Sequence, residues 1–239
     1  MPIYKRHDLL WLSDAGKEYA VSNIQSCIPN AAESEIKDFV FSAASIPAIV
    51  RRQDMATGGL ISVGFSFPKI IDGVRLRIAS AVPPDCIIGF KTPFDVAHDY
   101  KKKQPNVPHS PLVEELINAG FEYNVQVGFF GSIALGMVTD LPYWNNNSDM
   151  DLYLRCLGNW EELVLFHEQL LKLEESSAIV MDAEIEYKEE YGVKLKELFG
   201  PGKTALGKGL YEAVILPKDA LIASQSNPIQ YQGCLKAPF

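Results

Sequence analysis

Cysteine is sparse and unpatterned in this 239-residue sequence: Cys27, Cys86, Cys156 and Cys234 stand far apart, with no Cys-x-x-Cys pair among them. A cysteine-rich metal site or a disulfide framework needs closer, patterned spacing, so free thiols are expected. Long hydrophobic runs are missing too. The most apolar stretch, residues 39–50, is broken by Ser42, Ser45 and Pro47 and is too short to span a bilayer. The opening residues Met1 to Asp8 lack the apolar segment of a secretory signal. A cytoplasmic protein with no membrane contact is the expectation. Nor is there an excess of basic residues. Lys and Arg number 22 against 30 Asp and Glu, a net charge of −8, which argues against nucleic acid as a partner. No internal repeat is present. What remains is an ordinary globular composition, 47% hydrophobic and 22% charged, able to bury a core without staples.

The charge divides the chain. Residues 1–110 carry 13 basic and 11 acidic side chains, whereas residues 111–239 carry 9 and 19. Two units with different tasks are implied. In the first, short β-runs at residues 48–52, 60–65 and 74–79 are separated by the turn signals Gly58-Gly59 and Asp72-Gly73. Alternation places Arg75 and Arg77 on one strand face. From Phe90 to Pro111 the pattern lapses into prolines and a triple lysine, which reads as a linker. After it come a helix from Pro111, a strand over 124–130 that runs into Gly131-Ser132, and a short helix over 133–137. A strand over 150–156, a helix from Trp160 capped by Asn159 and Glu162, and a strand over 179–187 follow. The stripe Trp160, Leu163, Val164, Leu170 and Leu171 is the expected buried side of that helix, with His167 packed on it. The expected fold is α+β: a small sheet-rich domain over 1–92, a linker over 93–110, and a mixed sheet flanked by helices over 111–239.

The chemistry concentrates in the second unit. Asp149 and Asp151 lie two apart and point to the same strand face, opposite the apolar Met150, Leu152, Leu154 and Cys156. Paired carboxylates repel unless a cation lies between them, and an all-oxygen donor set suits Mg²⁺. On the later strand Asp182, Glu184 and Glu186 share a face, so Asp182 or Glu184 can complete a three-carboxylate cluster able to hold two metals. Gly131-Ser132, where a strand ends and a helix opens, suits a phosphate cradle made of backbone N–H groups, the helix N-terminus and the Ser132 hydroxyl. Gly202-Lys203-Thr204 is not a phosphate loop, because Glu197 occupies the position that the first glycine would need.

The order strand, Gly-Ser, helix, Asp-x-Asp strand, helix, acidic strand resembles the nucleotidyltransferase superfamily that includes DNA polymerase β. The intervening Leu141-Pro142-Tyr143 and Ser148-Asp149-Met150-Asp151-Leu152 narrow the likeness. They are similar to the malonate decarboxylase holo-acyl-carrier-protein synthases, a family of phosphoribosyl-dephospho-CoA transferases. Arg6-His7-Asp8-Leu9-Leu10-Trp11-Leu12, Val50-Arg51-Arg52, Ala81-Val82-Pro83-Pro84 and Asp182-Ala183-Glu184-Ile185 resemble further family segments. The resemblance implies a metal-dependent enzyme that transfers the prosthetic group of 2′-(5″-triphosphoribosyl)-3′-dephospho-CoA to a serine of the apo acyl carrier subunit of malonate decarboxylase, with release of pyrophosphate. It implies Asp149, Asp151 and Asp182 as metal ligands and catalytic residues, Asp182 also as acceptor of the serine proton, and Glu184 as the alternate third carboxylate. Gly131 and Ser132 would hold the leaving phosphates. Lys196 replaces an arginine of the family pattern and Ala183 a glycine, which bears on substrate contacts. Arg51, Arg52, Arg75 and Arg77 are the arginines expected to meet the donor's phosphates. Residues 141–148, with Tyr143, Trp144 and three asparagines, are the expected carrier interface. Two other readings stand beside this one: a nucleotidyltransferase using an ordinary nucleoside triphosphate on a small molecule or RNA, and a non-catalytic binding module.

Overall fold

A computed structural model describes residues 4–41, 46–53, 58–103, 109–144 and 148–226. Its N-terminal half is a sheet of β1 (Leu9–Leu12), β2 (Ser26–Ile28), β3 (Ala48–Val50), β4 (Ile61–Ile71), β5 (Val74–Val82) and β6 (Ile87–Lys91). All its pairings are antiparallel, in the order β2-β5-β4-β3-β1-β6. β4 and β5 are joined by Asp72-Gly73, both at positive φ, as a two-residue hairpin turn that follows the twist of its strands requires. Period-two alternation sends Val63, Phe65 and Phe67 to one face, where they pack with Ile36 and Val40 of α2 (Glu33–Val40) and Val21 of α1 (Asp14–Ser22). The Ser13 hydroxyl caps α1 by accepting the Gly16 N–H at 3.2 Å. Gly64, Ser66, Arg75 and Arg77 belong to the other face, which looks toward the second half of the chain.

The second half holds α3 (Pro93–Lys103), α4 (Ser110–Glu122), β7 (Val125–Phe129), α5 (Gly131–Thr139), β8 (Met150–Cys156) and α6 (Trp160–Ser177). β9 (Met181–Tyr187), β10 (Tyr191–Lys194), α7 (Leu195–Phe199), β11 (Thr204–Gly209), β12 (Ala213–Pro217) and α8 (Lys218–Ser226) complete it. The strands form a mixed sheet in the order β12-β11-β10-β9-β8-β7, in which β8 and β9 run parallel. Met150, Leu152 and Leu154 are wholly buried on the core face, as their alternation requires. α6 begins with both hydrogen bonds of the Asn159–Glu162 capping box. Its buried stripe is Leu163, Phe166, Leu170 and Leu173, while Leu171 is exposed, so the stripe is rotated by part of a turn from the expected one. The chain is α+β.

Part of the expected linker over 93–110 is helical. Pro93 occupies the first turn of α3, where its missing N–H costs nothing, and Thr92 and Asp95 exchange capping hydrogen bonds of 2.9 and 3.1 Å. Val96, Ala97 and Tyr100 of α3 are buried in the core of the second half. α3 approaches β7 so closely that a Cβ on Gly128 would lie 2.8 Å from the Pro93 carbonyl carbon. Cys27, Cys86 and Cys156 are free thiols, and Cys234 lies outside the described residues. Among the described residues no helix is long and apolar enough to cross a membrane.

Candidate active site

The parallel register of β8 and β9 sets Asp151 beside Asp182 and Tyr153 beside Glu184, all on the face turned away from the core. Asp149, exposed just before β8, lines the same cavity as Asp151. Its backbone carbonyl accepts the Trp144 indole N–H at 3.2 Å. Across from β8, β7 ends and the chain turns sharply into α5. The Phe130 N–H donates to the Asp151 carbonyl at 3.1 Å, and Gly131 follows at φ +63°. A Cβ on Gly131 would lie 1.9 Å from Asp151 Oδ2. Glycine is therefore required twice here, by backbone conformation and by the carboxylate against it.

Burial, then the charges of Asp182 and Asp149, push the Asp151 carboxyl up to about 7, and a hydrogen bond from the Ser132 N–H offsets part of this. The Ser132 N–H is thus committed to Asp151. The Ser132 hydroxyl and the positive end of α5 remain for an anion.

These residues form one wall of a cavity of about 620 Å³, and the N-terminal sheet supplies the other through Arg51, Arg75 and Arg77. The three arginines differ. Arg75 donates to the carbonyls of Phe67 (3.2 Å) and Tyr143 (2.5 Å) and lies over the Tyr143 ring, so it ties the two halves together. Arg51 and Arg77 are exposed and have no ion-pair partner among the described residues. Arg52 lines a neighbouring cavity instead.

His7 also lines the cavity. Its ring stacks on Phe130 with centroids 4.0 Å apart, and its Nε2 lies 3.3 Å from Glu184 Oε2. Burial lowers its pKa, against the pull of Glu184, so the imidazole is neutral at pH 7. Sequence reasoning assigned His7 no role. Its place in the Arg6-His7-Asp8 segment was the available signal.

Other expected site residues lie elsewhere. Glu184 is buried and bound by Lys208 at 3.0 Å, His7 at 3.3 Å and Arg6 at 3.7 Å, which together hold its carboxyl down at about 2. It is an anchor between the halves, and it does not line the cavity. Asp182 sits in register with Asp151, but both of its oxygens are 3.0 Å from Lys194 Nζ and it too is outside the cavity lining. Lys196 pairs with Glu174 at 3.0 Å, half exposed and away from the cavity, so the structure does not bring it to the other site residues. Tyr143 and Trp144, expected at a carrier interface, are buried: the Tyr143 hydroxyl donates to the Ser66 carbonyl at 2.7 Å, and the Trp144 indole N–H to the Asp149 carbonyl. Asn145, Asn146 and Asn147 lie outside the described residues.

Among the described residues, no three acidic, histidine or cysteine side chains converge on a single metal position. Asp149 and Asp151 nonetheless offer hard oxygen donors in a charge-crowded cavity, a donor set that fits a hard divalent cation.

Two family models match the chain, one after the other. The N-terminal domain model of the phosphoribosyl-dephospho-CoA transferase MdcG matches residues 5–93, and the C-terminal domain model matches residues 96–219. The chain belongs to the MdcG family. Two curated relatives are named phosphoribosyl-dephospho-CoA transferase. One, from Xanthomonas euvesicatoria pv. vesicatoria (strain 85-10), is 26% identical over 222 residues, covering 92% of this chain and 98% of the relative. The other, from Xanthomonas axonopodis pv. citri (strain 306), is 23% identical over 227 residues, with the same coverage. No solved structure gives a significant match. As an MdcG-family protein the chain is an enzyme of the transferase class, and the boundary between the two family domains falls at the start of α3.

Proposed function

We propose that this MdcG-family chain is a cytoplasmic, Mg²⁺-dependent transferase with nucleotidyltransferase-type chemistry. Its donor is 2′-(5″-triphosphoribosyl)-3′-dephospho-CoA and its acceptor a serine of the apo acyl carrier subunit of malonate decarboxylase. The observation that carries the reading is the cavity whose one wall is acidic, with Asp149 and Asp151, and whose other wall presents Arg51 and Arg77, which have no ion-pair partner among the described residues. A triphosphate with a bound cation has this pairing of charges. Mg²⁺ held by Asp149 and Asp151, with Asp182 as third carboxylate once released from Lys194, would offset the negative charge that accumulates at the reacting phosphate. Arg77 and Arg51 would hold the terminal phosphates, and the Ser132 hydroxyl with the start of α5 would receive the departing pyrophosphate. His7, neutral and oriented by Glu184, faces the cavity and is better placed than Asp182 to accept the proton of the attacking serine. The serine oxygen forms a bond to the α-phosphorus as the bond to the pyrophosphate oxygen breaks.

The test is incubation of the protein with donor, Mg²⁺ and the apo carrier subunit, followed by mass spectrometry of the carrier. The expected result is one phosphoribosyl-dephospho-CoA mass on one serine, abolished by a chelator. An unmodified carrier, together with consumption of ATP, CTP, GTP or UTP on another acceptor, would overturn the assignment of donor and acceptor.

A further inference from the structure

Beyond His7 and Arg51 lies a second cavity, of about 830 Å³, between the segment following β3 and the β11–β12 hairpin. His7, Ile49 and Arg51 line both cavities, so the two adjoin along a shared wall. The hairpin is fastened at this edge: the Gln53 N–H donates to the Leu210 carbonyl at 2.7 Å, and Arg6 donates to the Lys208 carbonyl at 3.1 Å.

The lining is basic. Arg6 and Lys208 are occupied by Glu184, but Arg51 and Arg52 are exposed and have no ion-pair partner among the described residues, and Arg52 faces this cavity alone. Glu212 is the single carboxylate among the described lining residues, and it accepts the Tyr191 hydroxyl at 3.1 Å. On the hairpin turn Tyr211 exposes 64% of its surface at the rim. Exposed guanidinium groups next to an open aromatic ring are the groups that a nucleotide's phosphates and apolar parts would each require.

The donor named above carries charge at two ends. The triphosphate is attached through the added ribose, and a separate 5′-diphosphate leads to the pantetheine arm. The first cavity offers its acidic pair, Arg51 and Arg77 to one end only. We infer that the second cavity binds the dephospho-CoA half of the donor, with the 5′-diphosphate on Arg52 and the Tyr211 ring beside the arm. The inference rests on that donor. It adds a site that positions the substrate without touching the reacting atoms, and it assigns the β11–β12 hairpin a binding role.

Calorimetric titration of the full chain with dephospho-CoA, and separately with inorganic tripolyphosphate and Mg²⁺, tests it. Arg52→Ala and Tyr211→Ala change exposed side chains and leave the core intact. Each should weaken dephospho-CoA about tenfold, the loss of one good contact, and leave tripolyphosphate binding unchanged. Arg77→Ala should do the reverse. If the unaltered protein binds dephospho-CoA and both second-cavity variants bind it equally well, the placement is wrong while the donor stands. If Arg77→Ala weakens dephospho-CoA and Arg52→Ala does not, the arm lies in the first cavity and the placement again fails. If the unaltered protein does not bind dephospho-CoA at all, the donor assignment itself falls, and this site falls with it.

Discussion

His7 Nε2 lies 3.3 Å from Glu184 Oε2, a contact between residues 177 apart in the chain. It joins the segment before β1 to the middle of β9. Lys208 and Arg6 converge on the same carboxylate, so one buried acid from the second sheet is satisfied by three groups from two other segments. Removing the Glu184 charge leaves the partly buried Arg6, His7 and Lys208 without their shared anion, which is more costly than the net worth of any single bond.

Glu184→Gln is expected to lower unfolding free energy at pH 7 by roughly 2–3 kcal/mol. The pH dependence should change with it. Because the Glu184 carboxyl is held at about 2 in the fold, below its ordinary 4.5, it contributes stability above about 4.5 that is lost as pH falls toward about 2. Denaturant unfolding across that window should show a steeper acid loss for the unaltered protein than for the variant. Parallel curves would mean that the network carries no stability.

Asp151 has the opposite sign. Its carboxyl is raised to about 7, so without a cation the fold loses stability as pH rises from about 3.8 through about 7. Asp151→Asn removes that repulsion. In chelator at pH 8 the variant should melt roughly 2–5 °C higher than the unaltered protein. Its transfer rate with Mg²⁺ should fall on the order of 100-fold or more. A variant that melts lower and keeps its rate would remove Asp151 from the proposed metal pair.

Gly131→Ala combines backbone strain at φ +63° with a Cβ only 1.9 Å from Asp151 Oδ2. Gly202→Ala provides the comparison, since Gly202 has φ +104° and an added Cβ there would meet nothing within 4 Å. Both should lose about 1–3 kcal/mol of stability to strain. Only Gly131→Ala should also lose activity, by on the order of 100-fold, because it displaces the carboxylate. Equal activities in the two would show that Gly131 matters for the turn alone.

Local signals accounted for what could be read from the residues. Gly131-Ser132 after an apolar strand, the Asp149–Asp151 pair and the Asn159–Glu162 cap each depend on neighbours within a few positions, and the structure forms each of them. Residues whose role depends on distant partners were not legible. Glu184 and Glu186 alternate like a solvated face, yet both are buried because Lys5, Arg6 and His7 cover them from the other end of the chain. α3 was hidden by the prolines around it, although Thr92 and Asp95 carried its cap. Lys196 was placed by its counterpart in a family pattern, and no local physical signal indicated that it would turn toward Glu174.

Arg75 and Arg77 show the same limit within three residues. Alternation puts both on the cavity face of β5, and nothing in the sequence separates them. In the structure Arg75 is committed: it donates to the Phe67 and Tyr143 carbonyls, lies 5.5 Å from the Tyr143 ring, and has its pKa lowered by burial. Arg75→Ala should therefore cost roughly 2–3 kcal/mol by leaving two carbonyls without their charged donor. Any effect on the donor would come through the loosened Tyr143 segment and would fall on kcat as well as KM. Arg77 is exposed and has no such ties among the described residues. Arg77→Ala should leave stability within about 0.5 kcal/mol and raise the KM for the donor about tenfold at nearly constant kcat, the signature of lost uniform binding. Arg77→Lys should recover part of that loss, because charge is kept while the guanidinium fork is not. Unchanged donor KM in Arg77→Ala would reduce this strand face to solvated surface and leave the polyphosphate to Arg51 and the start of α5.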